Sequence, residues 1–437
     1  MQKQAVGAGM GQGAVQQVQQ NQGFVPAWMR NAQAASSGTN TVWKQGDAMD
    51  PQKFKVMWRA NGGTKMQQGG FGYVYFGGYD ATPNPKARPL SINTAIKLPN
   101  TDPDSVKAHY LEMEINKKIA ADGGVPGVAD FIGTVDLSPI KAQLPPGIGA
   151  MDGIVWRTVE GKTLDNFFDR GGGMSPVLAN VLKVTDSKPT KIKGGVCYIK
   201  TELCRNVLGR TLIPLTALHE KGIIHRDLKP RNIMLAEKDP QNPLCIIDFG
   251  SAITKGSRPF MNDFTAVYAP PEAPEPDFFK PESYDIFHLG ITGLRVLMPS
   301  LIAGENGIAT LGKVATVEIP GYDYDLRAWA TARATDTASR FEFKALNAEC
   351  EALLNQPELM DLLCKMLDKN PANRPSAEQC IQMLGPEWVA RLQEYKEGRQ
   401  SRGNCGTCGQ PVYSSDKGRF RDARGTYFHE GCAQMYS

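Results

Sequence analysis

Two short polar segments set among apolar residues constrain this chain more than any other feature. The first is IIHRDLKPRNIM, residues 223–234, which follows an apolar, helix-like stretch. The second is LCIIDFG, residues 244–250. Asn232 and Asp248 offer one neutral and one charged oxygen ligand, the hard donors that Mg²⁺ prefers while it keeps its other positions for phosphates and water. Asp227 can accept a hydrogen bond from a hydroxyl and aim it for in-line attack. Lys229, two residues on, can neutralise charge on a phosphoryl group in transfer. Both segments in this order and at this spacing rarely arise in an unrelated fold.

Upstream lies a glycine cluster, QQGGFGYV, residues 67–74. Missing β-carbons let backbone N–H groups approach phosphates closely. The spacing fits G-x-G-x-x-G-x-V, with Gly69, Gly72 and Val74 in the second, third and final places. Gln67 replaces the first glycine, a departure expected to stiffen the loop. No G-K-[ST] follows, which excludes a Walker A motif. Next comes TAIK, with Ala95 inside it and Lys97 at its end, at the right distance for a lysine that pairs nucleotide phosphates. Its ion-pair partner should lie on the amphipathic stretch 104–120, where Glu112 and Glu114 are both candidates. Ile115 and Ile119 fall three and seven residues after Glu112, on the same helical face, which favours Glu112.

Together these segments resemble the eukaryotic protein kinase family over about residues 53–390. The resemblance implies an α+β, bilobal protein-kinase fold with a small β-rich N-lobe and a larger helical C-lobe, and ATP and Mg²⁺ as cofactors. It implies Asp227 and Lys229 as catalytic residues. It also implies nucleotide binding by Gly69, Gly72, Val74, Ala95, Lys97, Glu112, Asn232 and Asp248, with Mg²⁺ on Asn232 and Asp248. The Lys-Pro after Asp227 resembles serine/threonine rather than tyrosine kinases. Three further stretches resemble family scaffold. Thr265–Glu272 resembles the end of the activation segment, with Pro270 where Ala is usual. Tyr284–Gly290 resembles a buried helix whose Asp285 holds the catalytic loop, and Arg374 resembles the partner of Glu272. Arg226 is implied to meet a phosphate on the activation segment. Ser251, Thr254, Ser257 and Thr265 are available there; Thr265 is expected to contact the catalytic loop, leaving Thr254 or Ser257. A scaffold without activity, supported only by Gln67 and an unusual hinge, is the competing reading. A small-molecule kinase is disfavoured by the activation segment.

That hinge is IVWRTVEGKTL, residues 154–164. Its Trp156-Arg157 pair, with YDIFHLGITGLRVLMPSL at 284–301 and YDYDLRAW at 322–329, resembles the chloroplast state-transition thylakoid kinases. The resemblance implies light-harvesting or photosystem proteins as substrates and a place in the stroma or on the stromal face of the thylakoid, with the cytoplasm as alternative. Those kinases usually carry an N-terminal membrane helix and a cysteine pair that are not seen here, as a soluble relative or a truncated chain would explain.

Residues 53–98 look strand-like, and beyond Gly195 the chain looks mostly helical; the Gly/Ser/Lys/Thr-rich stretch 171–195 is expected to loop out. Residues 1 to about 46 are Gln- and Gly-rich with no acidic residue before Asp47. They hold too little apolar surface to offset chain entropy, so a disordered tail is expected, with a transit peptide or its remnant as alternative. The net charge of +4, from 49 basic and 45 acidic residues, is too mild to argue for nucleic-acid binding. The apolar runs are too short for a membrane span.

No cysteine precedes Cys197, and three fall in the last 33 residues. Cys405-x-x-Cys408 and His429-x-x-Cys432 offer three sulfurs and a nitrogen, a set suited to tetrahedral Zn²⁺. The competing readings are a thiol–disulfide switch at Cys405 and Cys408, or free thiols. The pattern resembles the first half of a LIM domain over about residues 403–437. So short a segment has too little core to fold alone, and a structural metal would supply most of its stability. Partner docking, helped by Arg419, Arg421 and Arg424, is its expected role, unless these charges are simply a solvated face.

Overall fold

The computed structural model describes residues 48–432 except 57–65, 70–71, 81–90, 122–123, 145, 160, 169–175, 185–189, 194, 237–241, 260–264, 274–279, 303, 337–343, 399–400, 414–415, 417–418, 422–426 and 430–431. The expected tail 1–46, the NPKARP loop at 84–89, Glu160 of the hinge and Arg424 lie outside the described residues.

Strands come first because β-branched and aromatic residues alternate there. The first seven are β1 (Ala48–Met49), β2 (Phe54–Val56), β3 (Met66–Gly69), β4 (Gly72–Asp80), β5 (Ser91–Pro99), β6 (Phe131–Asp136) and β7 (Asp152–Arg157). They form one sheet in the order β1-β6-β7-β5-β4-β2, with β3 also on β4. All pairs are antiparallel except β1 with β6. One face buries Tyr75, Ile92, Ile96, Leu98, Ile132 and Val155.

Helix α1 (Pro103–Ala120) crosses this sheet. The Asp102 side chain accepts from the Ser105 N–H at 2.7 Å, and Pro103 pre-sets the first turn. Lys117 and Lys118 sit in the last turn, where cations favour the negative end of the helix dipole. Its inner face buries Ala108, Glu112, Met113, Ile115, Asn116 and Ile119.

The larger part is helical, as expected for an α+β chain. It contains α2 (Pro176–Leu182), the β8–β9 hairpin (Thr190–Ile192, Gly195–Cys197) and α3 (Thr201–Glu220). Short ribbons follow: β10 (Ile223–Ile224), β11 (Ile233–Leu235), β12 (Leu244–Ile246) and β13 (Ile253–Thr254). Then come α4 (Glu282–Leu297), α5 (Gly304–Lys313), α6 (Ile319–Gly321), α7 (Leu326–Thr335), α8 (Lys344–Leu354), α9 (Pro357–Met366), α10 (Ala377–Leu384) and α11 (Pro386–Lys396). Every residue of α4 from Ser283 to Leu297 is buried, so this helix is the centre of the lobe. Trp388 of α11 closes over Gly209 of α3, where a β-carbon would lie 2.3 Å from the indole ring.

The expectation that 171–195 loops out is corrected for its described residues. Leu178 and Leu182 are fully buried on α2, which packs on α3, and β8–β9 packs on α8. Apolar contacts with distant elements override the turn-rich local composition. The strand β9 also takes Val196 and Cys197 from the start of the stretch beyond Gly195 that is expected to be mostly helical. Among the described residues no helix is long and apolar enough to cross a membrane. The chain continues into β14 (Ser401–Asn404), β15 (Pro411–Tyr413), β16 (Phe420–Arg421) and β17 (Tyr427–Phe428), which enclose a core of Cys405, Val412 and Phe428.

Candidate active site

β4 and β5 pair without a break from Gly72 opposite Pro99 to Asp80 opposite Ser91, which sets Val74 against Lys97 and Phe76 against Ala95. Gly69 faces Gly72 across the β3–β4 connection. A β-carbon on Gly72 would stand 2.2 Å from the Leu98 carbonyl oxygen, so the close strand approach requires glycine.

Lys97 Nζ lies 2.8 Å from Glu112 Oε2 and 3.0 Å from Asp248 Oδ1. Glu114 instead faces solvent and pairs with Lys117 at 2.9 Å. Burial pulls the Lys97 ammonium down, but Asp248 and Glu112 outweigh it and hold its pKa above the ordinary value. The Lys97 charge in turn depresses Asp248 to about 2. Glu112 moves the other way, raised by burial against the pull of Lys97. Asp248 has φ 63°, a left-handed conformation uncommon for a residue with a side chain and frequent at functional sites.

The loop after β10 carries the other groups. Asp227 Oδ2 lies 2.7 Å from Lys229 Nζ and 2.9 Å from Asn232 Nδ2. Its Oδ1 accepts the Thr265 hydroxyl at 3.0 Å, and that hydroxyl accepts from Lys229 at 2.6 Å. Asn232 Nδ2 also donates to the Asp227 carbonyl at 2.8 Å, which turns the amide oxygen toward any ligand. β11 pairs with β12, Ile233 opposite Ile246, and the Ile247 N–H donates to the Asn232 carbonyl at 3.0 Å. Asn232 and Asp248 therefore flank one end of the same ribbon.

The loop backbone is fixed from below. Asp285 accepts from the N–H groups of His225 and Arg226 and from His219 Nε2 at 2.9 Å. Burial alone would raise this carboxyl, but His219 and its other donors hold it below the ordinary value. His225 Nδ1 accepts from the Asp227 N–H at 3.2 Å, so its Nε2 carries the proton and donates to Ile247 O at 3.0 Å. Further out, Arg374 is fully buried, forks onto Glu272 and lies over the Phe287 ring at 4.9 Å.

Residues 182–384 match the family model described as the protein kinase domain. The fold is that of a protein kinase. The matched stretch of the kinase domain includes Asp227, Lys229, Asn232 and Asp248. A calcium/calmodulin-dependent serine/threonine-protein kinase of Malus domestica is 24% identical over 201 residues, 43% of this chain and 42% of the relative. A probable serine/threonine-protein kinase of Plasmodium falciparum is 38% identical over 100 residues, 22% of this chain and 19% of the relative. The zebrafish (Danio rerio) serine/threonine-protein kinase pim-2 is 28% identical over 182 residues, 41% of this chain and 46% of the relative. The chain thus spans less than half the length of each of these relatives. A solved structure, a Stt7 homologue from Micromonas algae soaked with ATP, matches in fold with a TM-score of 0.56 at 20% identity. It covers 81% of this chain and 97% of its own.

A kinase domain implies ATP and Mg²⁺, and the residues present fit both. Asn232 and the half-exposed Asp248 supply hard oxygens, and Lys97 supplies a fixed cation beside them.

Several contributors carried no sequence signal. Trp156 Nε1 donates to Asn116 Oδ1 at 2.8 Å, tying the hinge to α1, and Arg157 Nε meets Asp130 Oδ2 at 3.2 Å. Asn116, Asp130 and His219 belong to no motif, and only the folded chain brings them to their partners. Away from the cleft, Cys405, Cys408, His429 and Cys432 bring their ligand atoms within 4.8 Å of one another.

Proposed function

We propose that the chain is an active serine/threonine protein kinase that moves the γ-phosphoryl group of ATP to Ser or Thr hydroxyls of proteins. The convergence of Lys97 from β5, Asp227 and Asn232 from the loop after β10, and Asp248 from the segment after β12 carries this reading. Lys97, locked by Glu112, would hold the α- and β-phosphates, and the facing ends of β3 and β4 at Gly69 and Gly72 would approach them from above. Asp227 would accept the hydrogen bond of the incoming hydroxyl, and Lys229 would offset charge on the phosphoryl oxygens. Asn232 and Asp248 would hold Mg²⁺, which supplies neutralisation of phosphate charge. Thr265, bonded to both Asp227 and Lys229, would keep the pair aligned.

The finer reading is that the substrates are photosynthetic membrane proteins in a chloroplast. Its support is the Trp156-Arg157 hinge, with its resemblance to the state-transition kinases, and the fold likeness to the Stt7 homologue. The test of the activity is transfer of labelled phosphate from ATP to a Ser/Thr peptide pool. Asp227→Asn should retain nucleotide binding and lose about 10²–10⁴ in rate. Equal rates from both proteins would leave a nucleotide-binding scaffold. Phosphoproteomics on isolated thylakoids treated with the protein tests the substrate class. Labelling confined to soluble proteins would remove it.

A further inference from the structure

The kinase reading leaves the C-terminal module unexplained. Among the described residues its core is Cys405, Val412 and Phe428, with Tyr427 and Cys432 packed at the edge. Its two ribbons are short: β14 pairs with β15 through an irregular register, and β16 pairs with β17 at two positions. So small an apolar core offsets little of the entropy lost in ordering the chain. Among the described residues, none of the cysteines forms a disulfide.

Two turns aim the polar groups inward. In the first, the Cys405 N–H donates to Gln410 O at 2.7 Å, and the Gly409 N–H donates back to Cys405 O at 2.9 Å. Gly409 has φ 70°, a left-handed corner that glycine takes without strain. This knuckle presents Cys405 and Cys408 on one side. In the second, the Cys432 N–H donates to His429 O at 3.0 Å, placing Cys432 and His429 together. The Gly406 N–H bonds Tyr427 O at 3.0 Å and joins the two turns. All four ligand atoms then fall within 4.8 Å of one another, and Cys408 Sγ lies 3.4 Å from His429 Nδ1.

We propose that Cys405, Cys408, His429 and Cys432 form a structural Zn²⁺ site, with His429 ligating through Nδ1 and Asp416 as the positioning residue behind it. His429 Nε2 lies 3.6 Å from Asp416 Oδ2. The negative carboxylate facing Nε2 favours the proton on that nitrogen, leaving the Nδ1 lone pair toward the sulfurs; such a carboxylate behind a ligating histidine fixes its tautomer and ring orientation. Asp416 is itself held: the Tyr413 N–H donates to its Oδ2 at 2.7 Å and Arg419 Nη1 donates to its carbonyl at 3.1 Å. Binding releases one proton from each of the three thiols, giving a complex of net charge −1. Three sulfurs and one imidazole favour Zn²⁺ over Mg²⁺ or Ca²⁺, which take oxygen ligands. With all four positions filled by protein, the site is closed and its role is to hold the module together.

The experiment uses the full chain, purified under reducing conditions. Elemental analysis should give about one zinc per chain, and Cys408→Ser with Cys432→Ser should abolish it. Replacement by Co²⁺ should give tetrahedral d–d bands and thiolate-to-metal charge transfer, readouts that do not depend on the variants folding. Asp416→Ala should keep one site at saturating metal but weaken its affinity about 10- to 100-fold. Less than half an equivalent of zinc, an octahedral cobalt spectrum or a Cys405–Cys408 disulfide in the reduced protein would each overturn the site. Unchanged affinity in Asp416→Ala would overturn the role of Asp416. None of these readings uses phosphoryl transfer, so the site stands or falls separately from the kinase reading.

Discussion

Asp285 Oδ1 accepts the backbone N–H of Arg226 at 2.7 Å, and its Oδ2 accepts that of His225 at 2.9 Å. One fully buried carboxylate at the start of α4 thus holds the loop that carries Asp227. Arg226 has φ 65°, and this clamp is what keeps the strained turn in place. Asp285→Ala would strand two buried backbone donors and His219. At roughly 1–3 kcal/mol for each buried donor, the variant should lose about 3 kcal/mol of unfolding free energy in urea titrations. Asp285→Asn keeps one acceptor oxygen and should lose less stability but most of the activity. An unchanged urea midpoint for Asp285→Ala would show that the clamp has no weight.

Trp156 and Asn116 supply the second prediction. The indole N–H satisfies Asn116 Oδ1, whose side chain is fully buried and whose Nδ2 donates to Glu112 O at 2.9 Å. Trp156→Phe keeps an aromatic ring but removes the donor and part of the indole, leaving a buried acceptor unpaired, a loss of about 1–3 kcal/mol from the acceptor alone. Because Asn116 sits one turn beyond Glu112, the KM for ATP should rise as well. Thermal unfolding and an ATP titration check both effects, and identical values for variant and parent would dismiss the link.

Glu349 sets a pH dependence. It is buried on α8, and its carboxyl is pushed up to about 7 by burial, against the Ser300 N–H and hydroxyl that donate to it. The unfolded carboxyl titrates near 4.3, so between these values the native state holds a proton that the unfolded chain has released. Stability therefore falls as pH rises from about 4 to 7, and the loss is complete above 7. Glu349→Gln keeps an acceptor for Ser300 without the charge. It should flatten this slope and exceed the parent by about 2–4 kcal/mol at pH 8. Parallel stability curves for the two proteins between pH 5 and 8 would refute the assignment.

The legible parts of the site are those where local pattern and chemistry coincide. Glu112 was separable from Glu114 because Ile115 and Ile119 mark the buried face of α1, and the ion pair with Lys97 follows that face. The pairing of Asn232 with Asp248 as candidate ligands was readable because apolar runs flank both polar residues. The approach of Cys405, Cys408, His429 and Cys432 to one another was readable from ligand spacing alone. What stayed hidden depends on contacts between distant segments. Helix α2 and the β8–β9 hairpin lie in turn-rich sequence and take their form from α3 and α8. The Trp156–Asn116 bond spans 40 residues and has no periodic signature. His219 was unreadable for the same reason: its partner Asp285 lies 66 residues away.

Arg226 carries the last prediction. It is buried, its Nη1 reaches Ser251 O only at 3.4 Å, and its Nη2 has no partner among the described residues. Beside it is a cavity of about 420 Å³ bounded by α1 and the segment after Asp248, with Thr254, Ser257, Lys118 and Arg258 in its walls. The Ser257 hydroxyl donates to Thr254 O at 2.6 Å and accepts from the Thr254 hydroxyl at 3.2 Å, so the two hydroxyls stand together at this basic wall. A phosphate on either would bring an anion to the Arg226 guanidinium, which holds the long bond to Ser251 O and lies over the Tyr284 ring at 5.3 Å, and would order the segment by charge-assisted hydrogen bonds. One such bond, worth about 1.5–3 kcal/mol, corresponds to at least a tenfold change in the ordered population. Phosphatase treatment should therefore lower activity about tenfold or more, and alanine at both Thr254 and Ser257 should match the treated protein. Full activity in the double alanine variant would show that Arg226 acts without a phosphate.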